Sequence, residues 1–290
     1  MPELPEVQTV VDDLKKKIVG RRILKIWSDT SKIVQRPNFK QFEEEIKNSK
    51  IENIRRRAKN ILIDLNNNRL LLIHQKLTGH LLVGRWQIKN NQVQPRDKGI
   101  LGEKVNDYIH LIFYLDNGQM LALSDLRKFA KVIFGSAQEI ESLPDLKNLG
   151  PEPLTKDFTL AKFSSLFQEE KRKIKQVLMD QNVISGIGNI YSNEILWAAK
   201  ICPFKSAFQL NPQERKNLYL ALGKVLNQAL RFRGTSVDNY RDTAGQPGKY
   251  EQKLKVYRRE NQPCFRCQTL IKRAKMEGRS VYYCPKCQNK

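Results

Sequence analysis

Four cysteines near the end of the chain constrain its fold more tightly than any other feature. Cys264 and Cys267 form one C-x2-C pair, Cys284 and Cys287 form a second, and sixteen residues separate the pairs. Two thiolates on each tight knuckle can meet one Zn²⁺ at about 2.3 Å in a tetrahedron. Four protein ligands leave no open coordination position, so one structural Zn²⁺ is expected. A disulfide framework or a redox pair could use the same residues, but the doubled spacing in a reducing compartment favours metal. The fifth cysteine, Cys202, stands apart and reads as a small packed residue. From Cys264 onward the basic residues are Arg266, Lys272, Arg273, Lys275, Arg279, Lys286 and Lys290, against Glu277 alone. A small metal-pinned hairpin with that balance suits phosphate, and a solvated basic face is the plain alternative.

The same sign dominates the whole chain. Lys plus Arg is 52 and Asp plus Glu is 30, a net charge of +22 over 290 residues. A field of that sign suits a polyanion, nucleic acid first and anionic lipid second. No apolar run approaches the roughly 20 residues of a bilayer span. The N-terminus lacks a basic segment followed by an apolar one, so no signal peptide and an intracellular, cytoplasmic protein are expected.

Periodicity divides the chain. Val7, Val10, Val11, Leu14 and Ile18 recur at helical spacing from Leu4 to Val19, with Pro5 and Glu6 suited to the first turn. Strand-like runs follow up to about Gly135, and Asn117-Gly118 between two of them predicts a hairpin. Residues 1–135 therefore read as an antiparallel β domain with a flanking helix. Residues 136–156, polar and broken by prolines, read as a linker. Residues 157–250 read as helical, with helices near 158–168, 171–180, 190–200 and 213–232. Residues 251–290 form the cysteine hairpin. The predicted fold class is α+β, in more than one domain.

Two further stretches carry chemistry. The segment KIKQVLMDQNVISGIGNIYSNEILWAAKI places an eight-residue turn, Gln181 to Gly188, between two helices. Asn189 then stands where a side chain and free backbone N–H groups can hold a phosphate. The chain opens MPELPEV, with Pro2, Glu3, Pro5 and Glu6 at the extreme tip. That is either a proline-rich helix entry or the working part of the protein.

Taken together, MPELPEV, RRRAKN, DLRKF, GPEPL, GIGNIY, GKYEQKLKVY and the cysteine pairs resemble, in this order and essentially end to end, the formamidopyrimidine-DNA glycosylases of bacterial base-excision repair. The resemblance implies an N-terminal β-sandwich with flanking helices, a helix–two-turn–helix domain and a zinc finger, with DNA in the cleft between the lobes. It implies a monomeric, bifunctional enzyme that excises oxidised purines such as 8-oxoguanine and formamidopyrimidines from double-stranded DNA. The resemblance also implies cleavage of the abasic site by β,δ-elimination. Removal of Met1 would expose Pro2 as a secondary amine. An α-amino group titrates near about 8, so a useful fraction is nucleophilic at neutral pH.

By the same resemblance, Glu3 is the general acid/base on the opening sugar, and Lys59 touches phosphate or lesion. Glu6 is an auxiliary, with simple capping as its alternative. Leu77, Arg127 and Phe129 fill the void left by the extruded nucleotide. Leu77 stands where the family usually has methionine, and Ala130 where it usually has glycine. Lys175, Asn189 and Arg279 are the expected phosphate contacts. The loop Asp242 to Tyr250 reads as mobile, and its family counterpart covers the extruded base. The alternatives are an endonuclease VIII-like enzyme for oxidised pyrimidines and a zinc-dependent damaged-DNA-binding protein without catalysis.

Overall fold

A computed structural model describes residues 1–90, 92–96 and 99–289; Lys290, counted above among the basic residues, lies outside them. The chain forms two compact units. One comprises Met1–Lys147 and Phe232–Glu251, the other Asn148–Arg231 and the residues from Gln252 on.

The first unit opens with α1 (Leu4–Ile18), whose Val7, Val10, Val11, Leu14 and Ile18 are all buried. Lys15, Lys16 and Lys17 in its last turn complement the helix dipole. Gly20, at φ +85°, turns the chain out of the helix. Then follow β1 (Ile23–Ser28), β2 (Val34–Arg36), α2 (Phe39–Ile46), β3 (Ile51–Arg57), β4 (Asn60–Leu65) and β5 (Arg69–His74). β6 (Gly79–Gly84), β7 (Trp86–Lys89), β8 (Gln92–Pro95), β9 (Ile109–Leu115), β10 (Met120–Asp125) and β11 (Lys131–Ser136) complete the strands of this unit. Two short helices, α3 (Ala137–Glu141) and α4 (Pro144–Lys147), occupy the first half of the expected linker.

Nine of these strands form a four-stranded sheet, β1-β9-β10-β6, and a five-stranded sheet, β2-β11-β5-β4-β3, while β7 pairs with β8. The hairpin expected at Asn117-Gly118 joins β9 to β10. All pairings in these sheets are antiparallel except that of the short edge strand β2 with β11. One core joins α1, α2 and both sheets, with Phe42 of α2 edge-on to Phe113 and Phe134. A second cluster, including Leu82, Trp86, Ile109, Ile112 and Ala122, covers the other face of β6, β9 and β10. Burial on both faces explains why those strands read as continuous apolar runs rather than alternating ones.

The second unit contains α5 (Leu160–Ser165), α6 (Ile174–Met179), α7 (Asn189–Ala199), α8 (Pro212–Arg231) and the hairpin β12 (Lys272–Met276) with β13 (Arg279–Tyr283). α7 is nearly all buried, which is why its sequence carries so little amphipathic signal. It is also the anchor of the cysteine hairpin. The Glu194 carboxylate accepts the backbone N–H groups of Lys255, Val256 and Tyr257 at 2.8–3.0 Å. The Asn193 side chain accepts the N–H of Tyr282 at 2.9 Å. Burial pushes the Glu194 carboxyl up from its ordinary range, and the three N–H bonds oppose that rise.

The expected helical domain at 157–250 is too long by about its last 19 residues. α8 ends at Arg231, and Phe232–Glu251 belongs with the first unit. The cause is a set of hydrogen bonds to α1, described below. Among the described residues no helix is long and apolar enough to cross a membrane.

Candidate active site and nucleic-acid contacts

Pro2, Glu3 and Glu6 are all buried at the start of α1. Glu3 is the N-cap residue, and its backbone N–H donates to Glu6 Oε2 at 2.8 Å in a capping box. Glu6 Oε1 accepts the N–H of Thr235 at 2.8 Å. Gly234, at φ +80°, lies so close that a Cβ there would sit 2.7 Å from Glu6 Oε1. Glu6 therefore ties the tip of α1 to the returning segment, and both of its oxygens serve backbone N–H groups.

The loop Asp242–Tyr250, read from sequence as mobile, is pinned. Asp242, Thr243, Gly245, Gly248 and Tyr250 are buried. A Cβ on Gly248 would lie 2.3 Å from the Gly234 carbonyl oxygen, so this glycine serves close approach rather than flexibility. The more exposed stretch lies earlier, at 236–239, and its Asp238 carboxylate is 3.9 Å from the N-terminal nitrogen.

Lys59 is buried in the tight turn between β3 and β4, where Ala58 takes φ +53°. Arg56 secures that turn, donating to the Ala58 carbonyl at 2.9 Å and to Gln8 of α1 at 2.9 Å. Arg55 pairs with Asp64 and Glu141. Both arginines thus do structural work, which the basic run alone did not reveal. His74 at the end of β5 was not singled out from the sequence. Its imidazole is held down to about 3, first by burial and then by Lys76, Lys59 and Lys131. Its Nδ1 accepts the Lys76 N–H at 2.9 Å, which leaves the proton on Nε2. The Asp145 carboxylate, bonded to Lys131 at 2.8 Å, opposes that depression.

Leu77, Arg127 and Phe129 fall on two adjacent turns, β5–β6 and β10–β11. Leu77 is 37% and Phe129 51% exposed. The Arg127 guanidinium stacks 4.5 Å from the centre of the Phe129 ring. One residue that sequence reasoning missed joins the turns. Asp125 is fully buried and accepts the Thr78 hydroxyl, the Arg127 N–H at 3.3 Å and the Ala130 N–H at 2.7 Å. Lys128, rather than residue 130, takes the left-handed conformation, at φ +55°, so alanine at 130 meets no backbone conflict.

In the second unit, Lys175 is buried, and its ammonium donates to Asn189 Oδ1 at 2.8 Å and Ser192 Oγ at 2.9 Å. Asn189 is the first residue of α7, and the N-cap is Gly188, not Asn189. Because an ammonium can meet only the amide oxygen, the Asn189 Nδ2 is the donor end presented elsewhere. Lys175 and Arg279 line one cavity of about 240 Å³, together with Arg172, Gln176 and Glu277.

The ligand atoms of Cys264, Cys267, Cys284 and Cys287 all lie within 4.8 Å of one another. Backbone N–H groups of Arg266 and Cys287 approach the Cys264 and Cys284 sulfurs at 3.5 and 3.4 Å, and Trp197 Nε1 donates to Cys264 at 3.4 Å. The thiols are driven apart in acidity. Hydrogen bonds from Thr269 draw Cys267 down to about 6, while burial, then the neighbouring sulfurs, push Cys287 up to about 12. Four such thiols shed all their protons together only if a cation takes up the charge. The set fits one tetrahedral Zn²⁺ with no position left for substrate.

Residues 1–132 match the family profile of the formamidopyrimidine-DNA glycosylase N-terminal domain. Residues 149–241 match the formamidopyrimidine-DNA glycosylase H2TH domain, and 261–290 a zinc finger found in FPG and IleRS. The formamidopyrimidine-DNA glycosylase of Herpetosiphon aurantiacus is 39% identical over 289 residues, covering 99% of this chain and 100% of that protein. That of Pelotomaculum thermopropionicum is 36% identical, covering 99% of each. Lactococcus lactis Fpg, solved with DNA containing an abasic site, aligns at TM-score 0.87 and 30% identity over 99% of this chain and 100% of that one. Its complex with FAPY-dG DNA aligns at 0.86 and 30% over the same shares. Its complex with oxidised-pyrimidine DNA aligns at 0.86 and 31% over 100% of both chains.

Proposed function

The chain belongs to the formamidopyrimidine-DNA glycosylase family, and we propose that it excises oxidised purines from duplex DNA with Pro2 as its nucleophile and then cleaves the abasic strand. The observation that carries this reading is the construction of the N-terminal tip. Most proteins leave such a terminus frayed, but here the residues after the exposed Met1 are buried, capped and tied to a segment more than 200 residues away, with Glu3 adjacent to Pro2.

Once Met1 is removed, the Pro2 nitrogen is a secondary amine with a lone pair. It attacks C1′ of the damaged nucleotide; the C1′–N bond to the base breaks and the base leaves with the electron pair and a proton. Glu3 protonates the ring oxygen as the sugar opens, leaving an iminium between enzyme and sugar. The iminium withdraws electrons, so loss of a proton from C2′ expels the 3′ phosphate and a second elimination expels the 5′ phosphate. Glu6, committed to backbone N–H groups, holds the geometry and transfers no proton.

Lys59, beside His74 in the turn bound to α1, serves a phosphate next to the lesion. Leu77, Arg127 and Phe129 occupy the space vacated in the duplex, and Arg127 meets the orphaned base. Lys175 orients Asn189, and both act with Arg279 on the DNA backbone. The four cysteines hold a zinc ion that supplies folding energy to the hairpin carrying Arg279. A place on the chromosome in the cytoplasm follows from such a substrate.

Borohydride reduction on a duplex containing 8-oxoguanine tests the reading. DNA should become covalently joined to the N-terminal peptide beginning at Pro2. A correctly processed protein that binds the duplex yet traps nothing would be a binding protein without catalysis. The oxidised-pyrimidine complex of the Lactococcus protein favours a broader lesion range as the second reading. Cleavage of 8-oxoguanine and oxidised-pyrimidine duplexes, each opposite C and opposite A, separates the two.

A further inference from the structure

Arg233 stands at φ +60°. That left-handed conformation costs any residue other than glycine free energy, and such outliers persist where their surroundings over-determine them. Here the surroundings are two buried carboxylates. Arg233 Nη2 lies 2.6 Å from Asp13 Oδ2 and 2.6 Å from Asp242 Oδ2, and Nε lies 3.2 Å from Asp242 Oδ2. Asp13 belongs to α1 and also accepts the Thr243 hydroxyl at 3.1 Å, which in turn accepts from Lys17 Nζ at 2.8 Å. The other Asp242 oxygen accepts the N–H groups of Ala244 and Gln246 at 2.9 and 3.0 Å. One guanidinium therefore joins α1 to the chain leaving 235–241, from a position on the chain entering it.

Between these clamps the segment 235–241 makes a short excursion toward the N-terminus. Thr235 donates to Glu6, and the Tyr240 hydroxyl donates to the Glu6 carbonyl at 3.4 Å. Ser236 Oγ donates to the Tyr240 carbonyl at 2.7 Å and accepts the Gly248 N–H at 2.8 Å. Asp238, at the tip, comes within 3.9 Å of the Met1 nitrogen, one residue ahead of the Pro2 amine. The reacting carbon carries both the attacking amine and the base, so the base must lie within a few ångströms of that amine. Glu3 and Glu6 occupy the α1 side. With Ser236 bonded within the segment, 235–241 supplies exposed Asp238 and half-exposed Asn239, whose carboxylate and amide match the N–H and C=O edge of an oxidised purine.

We propose that Arg233 is a positioning residue: by bonding Asp13 and Asp242 at once it holds segment 235–241 as the surface against which the damaged base rests during attack. This rests on the reading of Pro2 as the nucleophile. An abasic site has no base to place, so its cleavage does not need that surface. The discriminating readout is the ratio of two rates on otherwise identical duplexes, base excision from an 8-oxoguanine site and strand cleavage at a preformed abasic site.

Arg233→Gly removes the guanidinium and relieves the left-handed strain at the same position, which favours retention of the fold. Asp242→Asn weakens the clamp from its other end, and Arg233→Lys keeps the charge with a smaller head. In single-turnover assays, excision by Arg233→Gly should fall roughly tenfold or more while abasic cleavage stays within about twofold. Asp242→Asn should fall in the same direction, and Arg233→Lys should lie between the wild type and Arg233→Gly. Equal losses on both duplexes, or no loss on either, would overturn the assignment of Arg233 while leaving Pro2 in place. A wild-type protein that fails to trap abasic DNA would overturn the nucleophile and this inference with it.

Discussion

Replacing Asp125 tests whether the exposed tip at 126–129 works because it is moored. The carboxylate is fully buried and receives three donors: the Thr78 hydroxyl and the N–H groups of Arg127 and Ala130. In Asp125→Ala, the Ala130 N–H is left buried without a partner, at a cost of about 2 kcal/mol. The Thr78 and Arg127 donors lie nearer the surface and recover water, losing about 0.5 kcal/mol each. The total is about 3 kcal/mol. Asp125→Asn keeps one acceptor oxygen for Ala130, and the rotatable Thr78 hydroxyl can accept from the new amide, so the loss falls to about 1 kcal/mol. Urea unfolding reads both values. Function should follow the same order. If Leu77, Arg127 and Phe129 fill the void left by duplex opening, as proposed, excision of 8-oxoguanine from duplex DNA should fall most in Asp125→Ala. Cleavage of a single-stranded abasic oligonucleotide, which has no such void, should change little. Both variants within about 0.5 kcal/mol of wild type, or equal losses on duplex and single strand, would refute the mooring.

Pro2→Gly is expected to keep lesion-duplex affinity within a few fold while losing most strand cleavage; parallel loss of both, in filter-binding and gel assays, would count against Pro2. Cys264→Ser should lower bound zinc, measured by atomic emission, and weaken DNA binding together, because the hairpin carrying Arg279 loses its metal. If about six phosphates are neutralised, log affinity should fall against log salt with a slope near about −5, read by anisotropy titration. His80 is buried and held neutral down to about 4, chiefly by burial. The unfolded chain takes that proton near about 6.5 and the folded one only near 4, so His80 adds nothing to instability above pH 6.5. Its destabilising effect grows as pH falls toward 4. Between pH 7.5 and pH 5 this amounts to about 2 kcal/mol, which the His80→Gln variant should lack when the two stability profiles are compared.

Much of the molecule is legible in its residue pattern. α1 follows from Val7, Val10, Val11, Leu14 and Ile18 within one residue at its end, and Asn117-Gly118 marks its hairpin. The cysteine pairs meet as their spacing requires. These are local signals: a helix face, a two-residue turn and a metal knuckle are each specified by residues close in sequence. The misreadings share the opposite origin. Glycines at 245 and 248 look like a flexible loop until Gly248 is seen pressed on Gly234, and residues 232–250 look like part of the helical domain until Thr235 is seen bonded to Glu6 of α1.

Residue order was enough to specify α1, the β9–β10 hairpin, the zinc ligands, the excess of positive charge and the residue at the tip. Tertiary structure alone decided what those residues bond to. Glu6 meets Thr235 across 229 positions, Arg233 meets Asp13 across 220, and Asp125 meets Thr78 across 47. No periodicity can announce such partners, because a carboxylate takes whichever N–H the folded chain brings within about 3 Å, and burial then makes that choice costly to undo.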